Sequence, residues 1–190
     1  MAPSRDELEQ ACTSLLADVA APGLQVLFSG INPGLYTAWL GHHFARPGNR
    51  FWPALHRSGF TPRRLAPHEQ QDLLALGLGL TNVAARATAR ADELTRREIV
   101  AGGAILRDKV RLLRPAWLAV LGVTAYRVAF DDSGAAVGEQ RLRIGDTGVW
   151  VLPNPSGLNA HYSAQALTDE FARLRERAVS PPVPTTAPGR

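Results

Sequence analysis

Two asparagine side chains lie in loops whose neighbouring residues restrict the backbone. Asn32 belongs to the motif Gly-Ile-Asn-Pro-Gly-Leu at residues 30–35, where the glycines allow close backbone approaches and the proline fixes the chain behind the amide. Asn154 belongs to a similar motif, Pro-Asn-Pro-Ser-Gly-Leu, at residues 153–158. A neutral amide can orient a water molecule or a polar ligand by hydrogen bonding, but it is not a useful general base. Either motif alone is also compatible with an ordinary turn.

A segment between the two motifs combines aromatic rings with arginines. Residues 44–52 read Phe-Ala-Arg-Pro-Gly-Asn-Arg-Phe-Trp. Aromatic rings stack on nucleic acid bases, and arginines hold phosphates. We expect Phe51 and Trp52 on the buried face of a helix that begins near Asn49, whereas Phe44 precedes that helix in a loop. Phe44 is therefore the ring in this segment that is best placed to meet a ligand.

The predicted elements indicate how distant motifs can share one site. Strands alternate with amphipathic helices, which is typical of the α/β class with a mostly parallel sheet covered on both faces. Such sheets bind ligands beyond the carboxyl ends of their strands, and both asparagine motifs directly follow a predicted strand. The predicted strands are residues 24–28, 78–81, 117–122, 141–144 and 149–152, and the predicted helices are residues 4–19, 49–55, 70–76, 95–114, 124–130 and one around 167–174.

Length and composition indicate one soluble domain. The chain has 190 residues, and we expect a single compact domain at residues 1–179 followed by a proline-rich, disordered tail at residues 180–190. No apolar run is long enough to cross a membrane, and the N-terminus lacks the apolar region of a secretory signal. Cys12 is the single cysteine, which excludes an internal disulfide framework and a cysteine-ligated iron–sulfur cluster. We therefore expect a reducing, cytoplasmic compartment.

The charge balance permits a nucleic acid partner without requiring one. The formal net charge is +4, the sequence pI is about 10.0, and Lys109 is the single lysine among 21 basic residues. The planar fork of arginine suits phosphate recognition. A coding bias towards arginine and alanine would give the same composition.

Taken together, the three segments resemble the mismatch-specific uracil-DNA and thymine-DNA glycosylases of the uracil-DNA glycosylase superfamily. The resemblance extends over residues 24–174, and includes Thr81 and Asn82 after the second strand and residues 101–103 on the following helix. It implies a three-layer α/β/α sandwich and a monofunctional N-glycosyl hydrolase of DNA base excision repair. Such an enzyme flips uracil, preferentially opposite guanine, out of DNA and leaves an abasic site.

The resemblance also implies roles for individual residues. Asn32 matches the residue that positions the attacking water, Phe44 matches the ring that stacks on the flipped base, and Asn154 lies at a pocket position where other relatives carry histidine. The loop that enters the duplex and contacts the orphaned guanine and the phosphates corresponds to Ser156, Gly157, Leu158 and Asn159. The remaining base-pocket positions are Gly30, Ile31, Tyr36 and Thr37.

Two features of the predicted site leave alternatives open. Tyr36 and Thr37 stand where many relatives have small residues near the C5 edge of the base, so a bulky side chain there would exclude thymine unless Tyr36 points away. Asp92 follows the second strand by a loop of about ten residues and could fold over the pocket to stabilise a cationic sugar or take a proton from water. A solvated charge that precedes the Thr95 helix cap is the alternative for Asp92.

Two other functional classes compete with a glycosylase. The first is a non-catalytic module of the same fold that binds mismatched DNA. The second is an enzyme of free nucleosides or nucleotides, although the sequence has neither a Gly-x-Gly-x-x-Gly motif nor a phosphate-binding P-loop. We expect double-stranded DNA with G·U or related mismatches as the partner, a monomer, no metal or other cofactor, and no membrane association.

Overall fold

The computed structural model describes residues 3–179, so the predicted tail at residues 180–190 lies outside the described residues. Within residues 3–179, one sheet contains five strands, which are β1 (Val26–Gly30), β2 (Leu78–Asn82), β3 (Trp117–Leu121), β4 (Gly138–Ile144) and β5 (Thr147–Leu152). The helices are α1 (Arg5–Gln10), α2 (Leu35–Leu40), α3 (Phe51–Arg57), α4 (Arg96–Leu113), α5 (Val123–Phe130) and α6 (Ala164–Val179). Short 3₁₀ helices occupy Ala11–Thr13, Pro67–Leu76 and Ala91–Glu93.

The strand order explains where a ligand can bind. The order is β2-β1-β3-β5-β4, and every pairing is parallel except the β4–β5 hairpin. Strand β1 has β2 on one side and β3 on the other. The connection from β1 to β2 therefore leads towards one edge of the sheet, and the connection from β3 to β4 leads towards the other edge. A crevice opens at the carboxyl ends of the strands where such a reversal occurs.

Alternate residues of β1, β3 and β5 supply two separate hydrophobic cores. Phe28 packs with α3 and α6 on one face of the sheet, and its neighbour Leu27 packs with α4 and α5 on the other. The three predicted inward residues of α6, Leu167, Phe171 and Leu174, are fully buried in the first core. The predicted α/β/α sandwich is confirmed. No helix in the described part of the chain is both long and apolar enough to span a bilayer.

Local capping signals mark the starts of α1 and α4, but the predicted first helix is wrong beyond Gln10. Thr95 caps α4 and Ser4 caps α1, each in a capping box with the glutamate three residues later. The helix predicted at residues 4–19 cannot continue to Val19, because the backbone of Val19 pairs with Leu80 at the free edge of β2. The apolar pattern that predicted a continuous helix therefore included a residue that belongs to the sheet.

Helix α4 packs unusually closely on the segment that follows β2. A Cβ atom added at Gly102 would lie less than 3.0 Å from the backbone carbonyl of Val83. Only a residue without a side chain permits this approach. Because Val83 opens the loop that reaches the functional site, the glycine in α4 sets the position of that loop.

We expect Gly102→Ala to lower the free energy of unfolding by about 1–3 kcal/mol, because the new methyl group must displace the backbone at Val83. Urea unfolding measures the change. Gly134→Ala is the control, since its added Cβ would meet Asp132 Oδ1 at an ordinary 3.6 Å, and we expect a change within about 0.5 kcal/mol. Equal stability of the two variants would contradict the close packing of α4.

Candidate active site

One cavity at the carboxyl ends of the parallel strands brings the predicted motifs together. Its volume is about 500 Å³. Asn32 follows β1 and Asn154 follows β5, and both side chains contribute to the lining. Phe44 and Leu158 line the same cavity. The other predicted site residues in its wall are Gly30, Ile31, Thr37, Asp92 and Ser156.

The side-chain amide of Asn32 has a defined orientation. Its Nδ2 donates to the carbonyl oxygen of Arg86 at 2.9 Å and to Oγ1 of Thr88 at 2.7 Å. The Thr88 hydroxyl donates its own proton to the carbonyl of Arg90 at 2.7 Å, so towards Asn32 it can only accept. Both donors of the amide are therefore occupied. The Oδ1 atom accepts no hydrogen bond from residues 3–179 and is available to a water molecule.

The loop that orients Asn32 is tied to the first asparagine motif by its backbone. The Thr88 amide donates to Pro33 at 3.1 Å, and the Leu35 amide donates back to Thr88 at 3.1 Å. Nearer the start of the loop, the Ala84 amide donates to Ile31 at 2.8 Å. Thr88 is only 3% exposed. These pairings hold the two loops as one unit, so the amide geometry does not depend on ligand binding.

A charged pair fixes Arg86, whose carbonyl receives one of the Asn32 bonds. The Arg86 guanidinium donates to both carboxylate oxygens of Glu98, at 2.6 and 3.2 Å, and to the carbonyl of Glu93 at 2.9 Å. Glu98 also accepts from the backbone of Thr95 at 2.8 Å. The Arg86 guanidinium, followed by the Thr95 hydrogen bonds, lowers the pKa of Glu98 from its ordinary 4.5 to about 2. The carboxylate stays ionised, and the loop stays anchored to α4, throughout the neutral range.

Phe44 adopts a backbone conformation that large residues rarely take. Its φ is +54°, in the left-handed region. Its ring stacks on Phe51, with centroids 4.1 Å apart and planes inclined by 20°. Phe51 itself is fully buried in the core. Core packing thus offsets the backbone strain and presents an aromatic ring rigidly to the cavity.

His43 anchors the loop that carries Phe44. The side chain of Gln70 accepts from the His43 amide at 2.8 Å, and Trp52 Nε1 donates to the His43 carbonyl at 3.1 Å. The ring nitrogen Nε2 lies 3.0 Å from the carbonyl of Ala17. Burial lowers the pKa of His43 below its ordinary value, because the charged imidazolium would lose its solvation. A neutral imidazole that is bonded to Ala17 through Nε2 has a structural role here.

Two amide side chains in the cavity keep hydrogen-bonding groups free. Asn154 Oδ1 accepts from the Ser156 amide at 3.0 Å, which leaves Asn154 Nδ2 without a partner among the described residues. The side chain of Asn82, at the end of β2, lines the cavity and has no hydrogen-bond partner within residues 3–179. These groups can read the polar edge of a planar ligand.

The loop after β5 presents an exposed apolar side chain beside the cavity. Leu158 is 73% exposed. The loop turns on Ser156, whose carbonyl accepts from the Asn159 amide at 3.0 Å and whose hydroxyl accepts from the Leu158 amide at 3.3 Å. A Cβ atom at Gly157 would lie 2.6 Å from the carbonyl oxygen of Gly48, so this position requires glycine. Asn159 lies outside the main cavity, on an adjoining one of about 420 Å³ that shares Leu158.

Asp92 lines the cavity, but its charge is already paired. Both of its carboxylate oxygens accept from the Arg90 guanidinium, at 3.0 and 2.5 Å. This hydrogen-bonded ion pair lowers the pKa of Asp92. The carboxylate is therefore a weak proton acceptor, and its field in the cavity is partly neutralised.

Tyr36, which the sequence placed in the base pocket unless it points away, is not among the residues that line the cavity. It is half-buried on α2 and its ring packs against Trp39, with centroids 5.8 Å apart. Side chains three positions apart share one helix face, and this face turns away from the cavity. The buried Thr37 is the residue of this pair that lines the wall.

Sequence reasoning overlooked several residues that complete the site. Asn82 carried a signal, since it ends a predicted strand at the same sheet edge as the two asparagine motifs. Thr88 and Arg86 carried none, because they lie in an irregular loop whose contact with Asn32 joins residues more than 50 positions apart. His43 was not distinguishable from a surface histidine without its burial.

The low pKa of Glu98 predicts a pH-dependent contribution to stability. A depressed carboxylate pKa stabilises the fold above the unfolded value of about 4.5, and this contribution is lost as the pH falls towards about 2. We expect Glu98→Gln to be less stable than the natural chain at pH 7, and the difference in urea midpoint to shrink steadily below pH 4.5. A difference that stays constant down to pH 2.5 would contradict the assignment.

Glu69→Gln is the matched control for this experiment. Glu69 also has a pKa of about 2, caused by its bond to Arg63, but it lies outside the cavity lining. We expect the same pH-dependent stability difference without any change at the cavity. A ligand that fills the cavity should therefore bind normally to Glu69→Gln and more weakly to Glu98→Gln.

A comparison with known protein families adds independent information on this site. Residues 17–177 match the Uracil DNA glycosylase superfamily. The matched range contains all five described strands, both asparagine motifs and the whole lining of the main cavity. The mostly parallel sheet with helices on both faces agrees with this match. The chain belongs to the uracil DNA glycosylase superfamily.

Proposed function

We propose that this DNA glycosylase removes uracil from mismatched duplexes, preferentially opposite guanine, by flipping the base into the cavity and hydrolysing its N-glycosidic bond. Superfamily membership supports a DNA-directed hydrolase of base excision repair. The observation that carries the finer proposal is that Asn32, Phe44 and Leu158 line one cavity. A water-orienting amide, a stacking ring and an apolar wedge are thereby available to a single extruded nucleotide.

The proposed first step is extrusion of the base. A base inside a duplex is unreachable, and flipping it costs a few kcal/mol of stacking and pairing, less when the pair is a mismatch. Leu158 fills the space that the base leaves, as apolar wedges do in other DNA complexes. The Gly157 amide has no partner among the described residues, so it can satisfy the exposed edge of the orphaned guanine.

Base recognition follows from the cavity wall. The ring of Phe44 stacks on the uracil, while Asn154 and Asn82 offer hydrogen bonds to its polar edge. The backbone amides of Ile31 and Phe44 have no partners within residues 3–179 and can donate to the base oxygens. Thr37, rather than Tyr36, is then the side chain that limits substituents at C5.

Bond cleavage needs little general-base catalysis in this site. The bond between C1′ and N1 breaks with both electrons passing to the base, which gives a uracil anion and a cationic sugar. Amide donors around the base stabilise the anion where its charge develops. A water molecule held by Asn32 Oδ1 adds its oxygen to C1′ and loses its proton to solvent, and the uracil anion takes up a proton from solvent, so uracil and an abasic site are the products. We assign Asp92 a lesser, electrostatic role, because its pairing with Arg90 weakens it as a base.

Measurement of base release from a panel of oligonucleotides tests the proposed function. The panel contains uracil opposite guanine, uracil opposite adenine, thymine opposite guanine, single-stranded uracil and free deoxyuridine. We expect the fastest formation of abasic sites from the U·G duplex. Binding to that duplex without release would instead support the non-catalytic mismatch-binding module, and release from free deoxyuridine alone would support a nucleosidase.

Substitutions of Asn32 and Asp92 separate water positioning from general-base catalysis. We expect Asn32→Ala to lower the single-turnover rate on the U·G duplex about a hundredfold or more, since the water loses its orientation. Asp92→Ala should lose less than about tenfold, whereas loss of a general base typically costs about 10²–10⁴-fold. If Asp92→Ala lost more of the single-turnover rate than Asn32→Ala, the two roles would be reversed. An unchanged rate in Asp92→Ala would remove Asp92 from the mechanism.

Arg46 is predicted to contact a DNA phosphate. It is exposed at the cavity wall, and its guanidinium has no hydrogen bond or ion pair within the described residues. Because each phosphate contact releases counterions, we expect Arg46→Ala to make the plot of log kcat/KM against log salt concentration shallower by about 0.9. Arg57→Ala, an exposed arginine of α3 outside the cavity, should leave the slope unchanged. Equal slopes for the Arg46 variant and the natural chain would exclude the contact.

A further inference from the structure

Arg50 directs its whole guanidinium group into the protein rather than towards a ligand. Its Nη1 donates to the carbonyl of Tyr162 at 2.5 Å, and its Nη2 donates to the carbonyls of Ser156 and Asn159, each at 2.9 Å. Its backbone amide donates to Pro155 at 2.9 Å. One residue therefore holds four carbonyl groups of the loop at residues 155–162.

This arrangement is costly for a charged group. No carboxylate within residues 3–179 forms an ion pair with Arg50, and its Nε atom is buried without a hydrogen-bond partner. The positive charge is balanced only by carbonyl dipoles. Arg46, four residues earlier, is exposed, and its guanidinium has no partner in the same described range, so the two arginine side chains of this segment are used differently. Phosphate binding accounts for Arg46 but not for Arg50.

The carbonyls that Arg50 holds lie on both sides of Leu158. Ser156 precedes the leucine by two positions and Asn159 follows it by one, and a single nitrogen of Arg50 binds both. Gly157 also packs closely against the carbonyl of Gly48, which lies two positions before Arg50 in the chain. The guanidinium fork thus fixes both stems of the turn whose tip is the exposed leucine.

We infer that Arg50 is a positioning residue that pre-forms the Leu158 loop before DNA arrives, so that the leucine enters the duplex without a separate ordering step. The inference rests on the proposed function, because it gives the loop a role in base extrusion. Arg50 lines neither of the two cavities. Its contribution passes through Leu158, and it should therefore disappear when the leucine side chain is removed.

Hydrogen exchange in the free protein tests the loop itself, independently of activity. Arg50→Met keeps the length of the side chain and removes the donors, and Arg57→Met is the matched control in the last turn of α3. With short labelling times, we expect faster exchange of the backbone amides of residues 156–163 in Arg50→Met and unchanged exchange in Arg57→Met. Unchanged exchange in Arg50→Met, or equally faster exchange over the whole chain, would overturn the inference.

A double-mutant cycle on single-turnover uracil release from the U·G duplex tests the link to Leu158. We expect Arg50→Met to lose about tenfold or more, and the double variant Arg50→Met, Leu158→Ala to be no slower than Leu158→Ala alone. Arg50→Lys, which keeps the charge but not the fork, should lie between Arg50→Met and the natural chain. Losses that multiply, or no loss in Arg50→Met, would overturn the inference. Absence of release by the natural chain would overturn the proposed function itself.

Discussion

The double hydrogen bond from Asn32 Nδ2 to Arg86 and Thr88 is the constraint on which the site depends. It joins the loop after β1 to the loop after β2, and it leaves the carbonyl oxygen of this amide in the cavity wall without a partner among the described residues. An amide free to rotate would present either its donor or its acceptor end, and the two have opposite effects on a nucleophilic water. Occupying both donors with protein acceptors removes that ambiguity before any ligand binds.

The rest of the fold supports this constraint from several directions. Gly102 lets α4 approach Val83 at the start of the loop after β2. Glu98 of the same helix binds the guanidinium of Arg86 in that loop. Across the cavity, the buried ring of Phe51 holds Phe44 in a left-handed conformation. Helix α4 and a buried core ring thus fix side chains on loops, as the proposed use of a neutral amide and an aromatic ring requires.

Much of this site was predictable because its residues follow strands of a parallel sheet. The positions of Asn32 and Asn154 follow from the rule that ligands bind at the carboxyl ends of such strands. Contacts between irregular loops were not predictable, since nothing in the local sequence pairs Thr88 with Asn32 or Arg50 with Ser156. The orientation of Tyr36 was not predictable, because the spacing of helix α2 does not reveal which of its faces turns towards the cavity.

The central claim is that one extruded nucleotide occupies the space between Asn32 and Leu158. A crystal structure of the protein with a duplex that carries 2′-fluoro-deoxyuridine opposite guanine tests it directly, because the fluorine destabilises the cationic sugar and slows cleavage. We expect the uracil stacked on Phe44, its C1′ facing a water molecule on Asn32 Oδ1, and Leu158 in the gap of the duplex. A uracil that remains paired in the helix, or a flipped base bound away from Asn32, would contradict the claim.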